Sequence, residues 1–411
     1  MMGPGKRKYV PAIGYSTNVH RGETLEQVYR FLEEYTVPIA RRVFGEKKAG
    51  LELRLGIGST QELLDPAARA RFRDFLVERD LELFSINAFP LRDFHAMRVK
   101  EDVYLPSWRD EERGRVTARI AEVTADLLPE GVEASISTLG GCFRREAHDE
   151  AAFRRMAAVL LETLDTFLEL ERAGKRLTLA VEPEPETTFE TTRDVVEFFE
   201  RYLLPQAFDR WRKVGTREEI DAALRRLFSV NVDTCHLSVL FEDTVEGLRV
   251  LERAGIRVGK LHVTNAIALA DPFESTESYD DLRAMHEPRY FHQVAGADAE
   301  GRVIWRELDL DRLPEKLVRG EHPDVVELRS HFHVPLFSTR HRSLSTTQNE
   351  TVRAVRETVE RRLTTHLVLE TYTWPILVDG ANADPEARRE TLIDGIVREH
   401  EWLLGVLAEI E

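Results

Sequence analysis

The chain has 411 residues, 73 acidic and 57 basic, for a formal net charge of −16. That balance argues against broad contact with nucleic-acid phosphates or an anionic membrane. A composition of 42% hydrophobic and 32% charged residues is that of a globular chain with a sizeable core. Cys142 and Cys235 are the only cysteines, too few for a disulfide framework and without zinc-knuckle spacing. No apolar run approaches the ~18–20 residues of a membrane span. The opening segment MMGPGKRKYVPAIGYS has a basic stretch but no apolar h-region. The expectation is a cytoplasmic protein with no nucleic-acid partner and no membrane span.

Along the chain, short apolar or β-branched runs alternate with amphipathic stretches. A strand is predicted at Tyr9–Tyr15, then a helix at Thr24–Val43. Strand Leu51–Leu55 leads to a helix at Pro66–Arg79 behind Asp65, a candidate cap. Strands Leu83–Ala88 and Val132–Thr138 precede the long helix Ala147–Ala173. Strand Leu177–Glu182 precedes helices Thr192–Leu203 and Arg217–Leu227. Strand Phe228–Asp233 precedes helix Thr244–Ala254, and strand Val258–Val263 follows. Strand Val325–Val334, helix Thr347–Leu363, strand Leu367–Tyr372 and helix Asp384–Ile410 complete the series. The alternation is the βαβ signature of a parallel sheet. It predicts one α/β domain over 1–411, a (β/α)8 TIM barrel with an irregular insertion at about 272–346. Nine strands are predicted where a closed barrel needs eight. In the late region YFHQV (290–294) and VVELRSHFHV (325–334) either form a hairpin-like excursion or supply a barrel strand. An open doubly wound sheet competes, but no Gly-rich phosphate loop follows the first strand. The helix at 384–410 either closes the ring or packs against another subunit of a homo-oligomer.

Most predicted strands end in polar or ionisable groups. These are Asn87, Glu182 with Glu184, Asp233 with His236, His262 with Asn265, His331 with His333, and Glu370. In a parallel barrel the C-terminal strand ends converge on one face, where active sites are built. Three carboxylates (Glu182, Asp233, Glu370) and several imidazoles in one cup repel or desolvate one another, and a divalent cation is the simplest compensator. Mixed carboxylate and imidazole donors suit Mn²⁺, Zn²⁺, Co²⁺ or Fe²⁺, with Mg²⁺ less favoured by many histidines. Each residue alone has a plainer reading. A glutamate at a strand end is usually solvated, and Asp233 and His236 have the spacing of a helix cap. His331 and His333 have strand spacing, which points both to one side. The cysteines read as small buried residues, and Phe89, Tyr372 and Trp374 as core or pocket wall. The same departure at five strand ends carries more weight than any one of them.

VEPEP (181–185), VDTCH (232–236), KLHVTNA (260–266) and LETYTW (369–374) resemble the xylose isomerase-like TIM barrels, which include sugar isomerases, ketose 3-epimerases and the endonuclease IV group. GYSTNVHRGE (14–23), INAFPLRDFHAMRVKEDVYLPSW (86–108), YFHQV (290–294) and SHFHVP (330–335) resemble the EboE family of bacterial ebo clusters, named metabolite traffic proteins. The resemblance runs from about residue 9 to about residue 378. It implies a metal site of Glu182, Asp233, His262 and Glu370, with His236 touching substrate. The endonuclease IV likeness implies that His331, His333 and either His95 or His20 hold further ions, one to three in all. Asn87, Glu184, Asn265 and His292 complete the candidate pocket.

The first implied chemistry is isomerisation or epimerisation of a small metabolite. The cation (Mn, Zn, Co or Mg) binds two neighbouring substrate oxygens, Glu182 and Glu370 remove and return a proton, and His236 stabilises the developing charge. The alternatives are di- or trinuclear zinc phosphoester hydrolysis of a small metabolite, and a non-catalytic barrel that binds a metabolite and hands it on, with other ebo-cluster proteins as partners.

Overall fold

The computed structural model describes residues 9–147, 149–315, 321–322, 324–379 and 384–410; residues 1–8 of the opening segment lie outside the described residues. Fourteen strands are numbered in chain order. Eight of them form one parallel sheet: β1 (Ala12–Tyr15), β2 (Ala49–Arg54), β3 (Leu81–Asn87), β4 (Glu133–Leu139), β5 (Arg176–Glu182), β6 (Phe228–Asp233), β7 (Arg257–Val263) and β14 (His366–Leu369). Their order is β1-β14-β7-β6-β5-β4-β3-β2, and every pairing is parallel. A parallel bridge between Ser16 and Glu52 joins the first and last strands. At that seam the backbones approach closely: a Cβ on Gly50 would collide with the Ile13 carbonyl oxygen. The result is the expected (β/α)8 barrel.

The other six strands are β8 (Ile267–Ala270), β9 (Val294–Ala297), β10 (Val303–Glu307), β11 (Glu327–Ser330), β12 (Arg340–His341) and β13 (Leu344–Thr346). They form an antiparallel sheet in the order β10-β9-β11-β8-β13-β12. The ninth predicted strand therefore lies outside the barrel. The segment expected to be irregular carries a regular sheet with its own apolar cluster, including Leu269, Leu282, Val294, Leu328 and Leu344. Regular strand also stops at Ser330, so His331 and His333 stand on an extended segment after β11 and not within a strand.

Two predicted helices are interrupted. Thr24–Val43 resolves into Leu25–Phe31, a π-helical turn at Leu32–Thr36, and Val37–Phe44. Thr192–Leu203 resolves into Thr192–Phe198, a π-helical turn at Phe199–Leu203, and a continuation at Leu204–Arg210. In both, a proline (Pro38, Pro205) stands two residues past the turn and lacks the N–H for the ordinary ladder. Its ring also crowds the carbonyl four residues back, and the wider turn relieves this. A helix at Glu111–Leu127 was not predicted. Its inner face buries Arg113, Gly114, Thr117 and Thr124, which blurs the apolar period. The last helix, Pro385–Ala408, buries Leu392, Ile396 and Leu403 in the main core and ion-pairs through Asp394 with Arg42 (2.6 Å), so it belongs to the ring. Among the described residues no helix is long and apolar enough to cross a membrane.

Candidate metal centre

Glu182 ends β5, Asp233 ends β6, His262 lies in β7 and Glu370 follows β14. All four are buried, and one ligand atom from each lies within 4.8 Å of the others. His262 Nδ1 is 3.0 Å from Glu370 Oε2, 3.3 Å from Glu182 Oε1 and 3.6 Å from Asp233 Oδ2. Residues up to 188 positions apart thus meet at the barrel mouth, as the strand ends predict.

Asp233 divides its two oxygens. Oδ1 accepts from the backbone N–H groups of Cys235 (2.8 Å) and His236 (3.1 Å), capping the short helix Thr234–Val239, and from Thr264 Oγ1 (2.6 Å). Oδ2 is buried without a hydrogen bond, as are Glu182 Oε2, Glu184 Oε2 and His333 Nε2. The capping and metal-ligand readings of this residue are therefore compatible. Glu370 Oε1 accepts from Asn18 (2.8 Å) and Asn87 (3.1 Å), which fix its carboxylate from β1 and β3.

The electrostatics call for positive charge at the centre. Burial pushes the His262 imidazole down, but Glu370, Glu182 and Glu52 outweigh burial and hold its pKa well above the usual value. Burial likewise opposes ionisation of Asp233, yet His236, His333 and His262 keep its carboxyl well below the ordinary range. Two orphaned buried acceptors, Glu182 Oε2 and Asp233 Oδ2, together with the Glu370 carboxylate around one imidazole, form a donor set that fits a divalent cation.

Beneath the centre lies a feature that the sequence reading missed. His262 Nε2 is 3.3 Å from Glu52 Oε1 in β2, and Glu52 pairs with Lys260, both fully buried. Lys260 Nζ also donates to Ser85 Oγ (2.8 Å) and the Ile86 carbonyl (3.2 Å). Burial disfavours the Glu52 carboxylate, but Lys260 and His262 together hold its pKa below the usual range. A carboxylate behind one ring nitrogen orients a metal-binding histidine and leaves the other nitrogen facing the ion. The available signal was strand parity: Lys260 and His262 are two residues apart and face the same side, into the barrel.

A second polar group adjoins the first. His236 Nε2 and His331 Nε2 are 3.1 Å apart, and His236 Nδ1 donates to the Pro183 carbonyl (3.0 Å). His331 Nδ1 meets Gln293 Oε1 at 2.7 Å, so the antiparallel sheet sets its ring. Burial lowers His236, but Asp233 and Glu182 lift its pKa above the usual value; burial and the His236 charge push His331 well below it. Burial raises Glu184 to about 8, with Glu182 and Asp233 adding to the rise against His236. Glu184–His236–His331 and Asp233–His236–His333 each bring three ligand atoms within 4.8 Å of one another.

The remaining candidates fall elsewhere. His292 is held by the His331 carbonyl (2.9 Å) and Glu287 (3.2 Å). Asn265 binds the Leu336 carbonyl and Thr351. His20 contacts the Tyr15 hydroxyl (2.9 Å), and its ring stacks on Phe31. His95 meets the Asn18 carbonyl (2.8 Å). His20 and His95 line a separate groove with Arg21, Arg30, Arg289 and Arg389. None of these four belongs to a described cluster around the centre.

No family model and no curated protein matches the chain. Among solved structures it is similar to a xylose isomerase-like TIM barrel protein from Mycobacterium smegmatis in complex with magnesium, at 12% identity over 97% of each chain with a TM-score of 0.50. It is also similar to the probable 3-DHS dehydratase AsbF of Bacillus anthracis, at 15% identity over 96% of this chain and 98% of that one, TM-score 0.47. A third is the IOLI protein with a binding zinc atom, at 11% identity over 97% of this chain and 99% of that one, TM-score 0.48. At these identities the likeness is one of fold alone, that of a TIM barrel.

Proposed function

We propose that the chain is an EboE-type barrel that isomerises or epimerises a small metabolite using one divalent cation held by Glu182, Asp233, His262 and Glu370. The observation that carries this is the four-residue cluster with its orphaned acceptor oxygens. Its oxygen-rich donor set with one imidazole suits Mn²⁺, Co²⁺, Zn²⁺ or Mg²⁺. When bound, such a cation polarises a carbonyl oxygen and its neighbour. Glu182 and Glu370 approach from β5 and β14, with β6 and β7 between them. Glu182 Oε2 has no hydrogen-bond partner and takes the proton from the carbon beside the carbonyl. Glu370, its other oxygen held by Asn18 and Asn87, returns a proton to the neighbouring carbon or to the opposite face. His236 places positive charge beside the oxygen on which negative charge develops. The motif at 86–108 supports the EboE assignment, and we propose that the chain works as one domain in the cytoplasm on a small molecule.

The test is exchange of substrate C–H with deuterated water by metal-replete protein. Exchange is expected with α-hydroxycarbonyl compounds, and Glu182→Gln should abolish it. A fully loaded site with no exchange on any such compound would overturn the isomerase reading.

The Glu184–His236–His331 triad favours a second reading, phosphoester hydrolysis with two or more zinc ions. The two readings separate by elemental analysis. Isomerase chemistry predicts one equivalent of metal, retained in His331→Ala. Two equivalents, falling to one in that variant, would favour the hydrolase.

A further inference from the structure

We propose that the substrate pairs its oxygen-bearing head with an apolar, ring-sized body and is not a free sugar or a sugar phosphate. The inference rests on the metal-centre reading above and adds the class of molecule that the site takes.

A cavity opens over the centre at the barrel mouth. Its floor is polar and its walls are not. Glu182, Glu370, His236 and His333 form the floor; Phe89, Phe94, Val103, Tyr290, Phe291 and Tyr372 stand in the walls. The wall rings brace one another. Phe94 and Tyr290 centroids are 4.7 Å apart, Tyr290 and Tyr372 are 5.1 Å apart, and Tyr372 lies 4.7 Å from the His333 ring.

Several polar groups in these walls already have partners, and the unpartnered atoms of the lining (Asn18 Oδ1, Glu182 Oε2, Glu184 Oε2 and His333 Nε2) gather at and beside the centre. The Tyr290 hydroxyl donates to the Phe94 carbonyl (3.0 Å), and the Tyr104 hydroxyl accepts from Gln293 (3.1 Å). Asn18 and Asn87 are both turned to Glu370. Among the described residues, the single lysine of the lining, Lys100, is buried in an ion pair with Asp309, and no arginine lines the cavity. A hexose carries a hydroxyl on nearly every carbon, and each one desolvated without a partner is costly. A phosphate would enter without an arginine or an unpaired lysine among the described lining residues to receive it. One aromatic ring can stack on a sugar face, but apolar groups on several sides leave the sugar's rim hydroxyls unmet. A flat apolar body fills the same space at no such penalty.

The test compares ligands that share an α-hydroxyketone head and differ only in the body: 2-hydroxyacetophenone, D-fructose and D-fructose 6-phosphate. Full-length protein is first titrated with Mn²⁺, and each ketone is then titrated into the loaded protein by calorimetry. The expected result is 2-hydroxyacetophenone binding at least about tenfold tighter than either sugar. Phe94→Ala, and the milder Phe94→Leu, should weaken that binding with Mn²⁺ affinity unchanged. Fructose or its phosphate binding as tightly as the aromatic ketone, or no binding of that ketone to loaded protein, would overturn the substrate class and leave the metal centre standing. Failure of Mn²⁺ to bind the wild-type chain would remove both.

Discussion

Asp233→Asn is expected to weaken divalent-cation binding on the order of 100-fold or more while leaving the fold intact. Removing a partner behind a ligand already costs about 10–100-fold, and Asp233 is placed to be a ligand itself. The substitution separates the two tasks of this side chain. Asparagine caps helices about as well as aspartate, so the contacts to the N–H groups of Cys235 and His236 persist. The change falls on Oδ2, which becomes a donor aimed at a cluster that needs acceptors. Competition with a chromophoric chelator measures the affinity, and circular dichroism checks the fold. Asp233→Ala removes the cap as well and should cost a further ~0.5–2 kcal/mol of stability. Wild-type affinity in Asp233→Asn would contradict the assignment.

The second large effect is on stability. Glu52→Gln or Lys260→Met alone should destabilise the barrel by about 3–5 kcal/mol, because each leaves a charge buried without its partner. Both side chains are fully buried, and nearby only Ser85 and the Ile86 carbonyl also contact the ammonium. The double substitution E52Q/K260M removes both charges and should recover most of the loss in chemical denaturation. It should still bind the cation about 10–100-fold more weakly, since His262 Nε2 loses the carboxylate that orients it. If both single variants are as stable as the wild type, the buried pair does not have the role assigned to it.

The barrel and the convergence of polar strand ends were legible in the sequence because both follow from local pattern. Apolar runs ending in Glu182, Asp233, His262 and Glu370 reveal direction and convergence without any knowledge of contacts. Other features depend on tertiary placement. Glu52 and Lys260 sit within strands and read as ordinary charged positions until closure of the barrel brings β2 and β7 to face each other across its interior. The helix at Glu111–Leu127 was hidden because Arg113 and Thr117 lie on its buried face. Arg113 donates there to the carbonyls of Pro106, Ala88 and Phe89, contacts that no periodicity contains. The sheet of β8–β13 is built from strands of two to five residues, too short for alternation to be visible. Yet the residue leading into β9 of that sheet is Gln293, which sets the orientation of His331.

The isomerase reading requires one cation among Glu182, Asp233, His262 and Glu370. Anomalous diffraction from crystals grown with Mn²⁺ tests it directly. The account predicts a peak within ~2.0–2.6 Å of one atom from each of the four side chains. A peak only at Glu184, His236 and His331, or no peak at the barrel mouth in crystals shown to contain manganese, would contradict it.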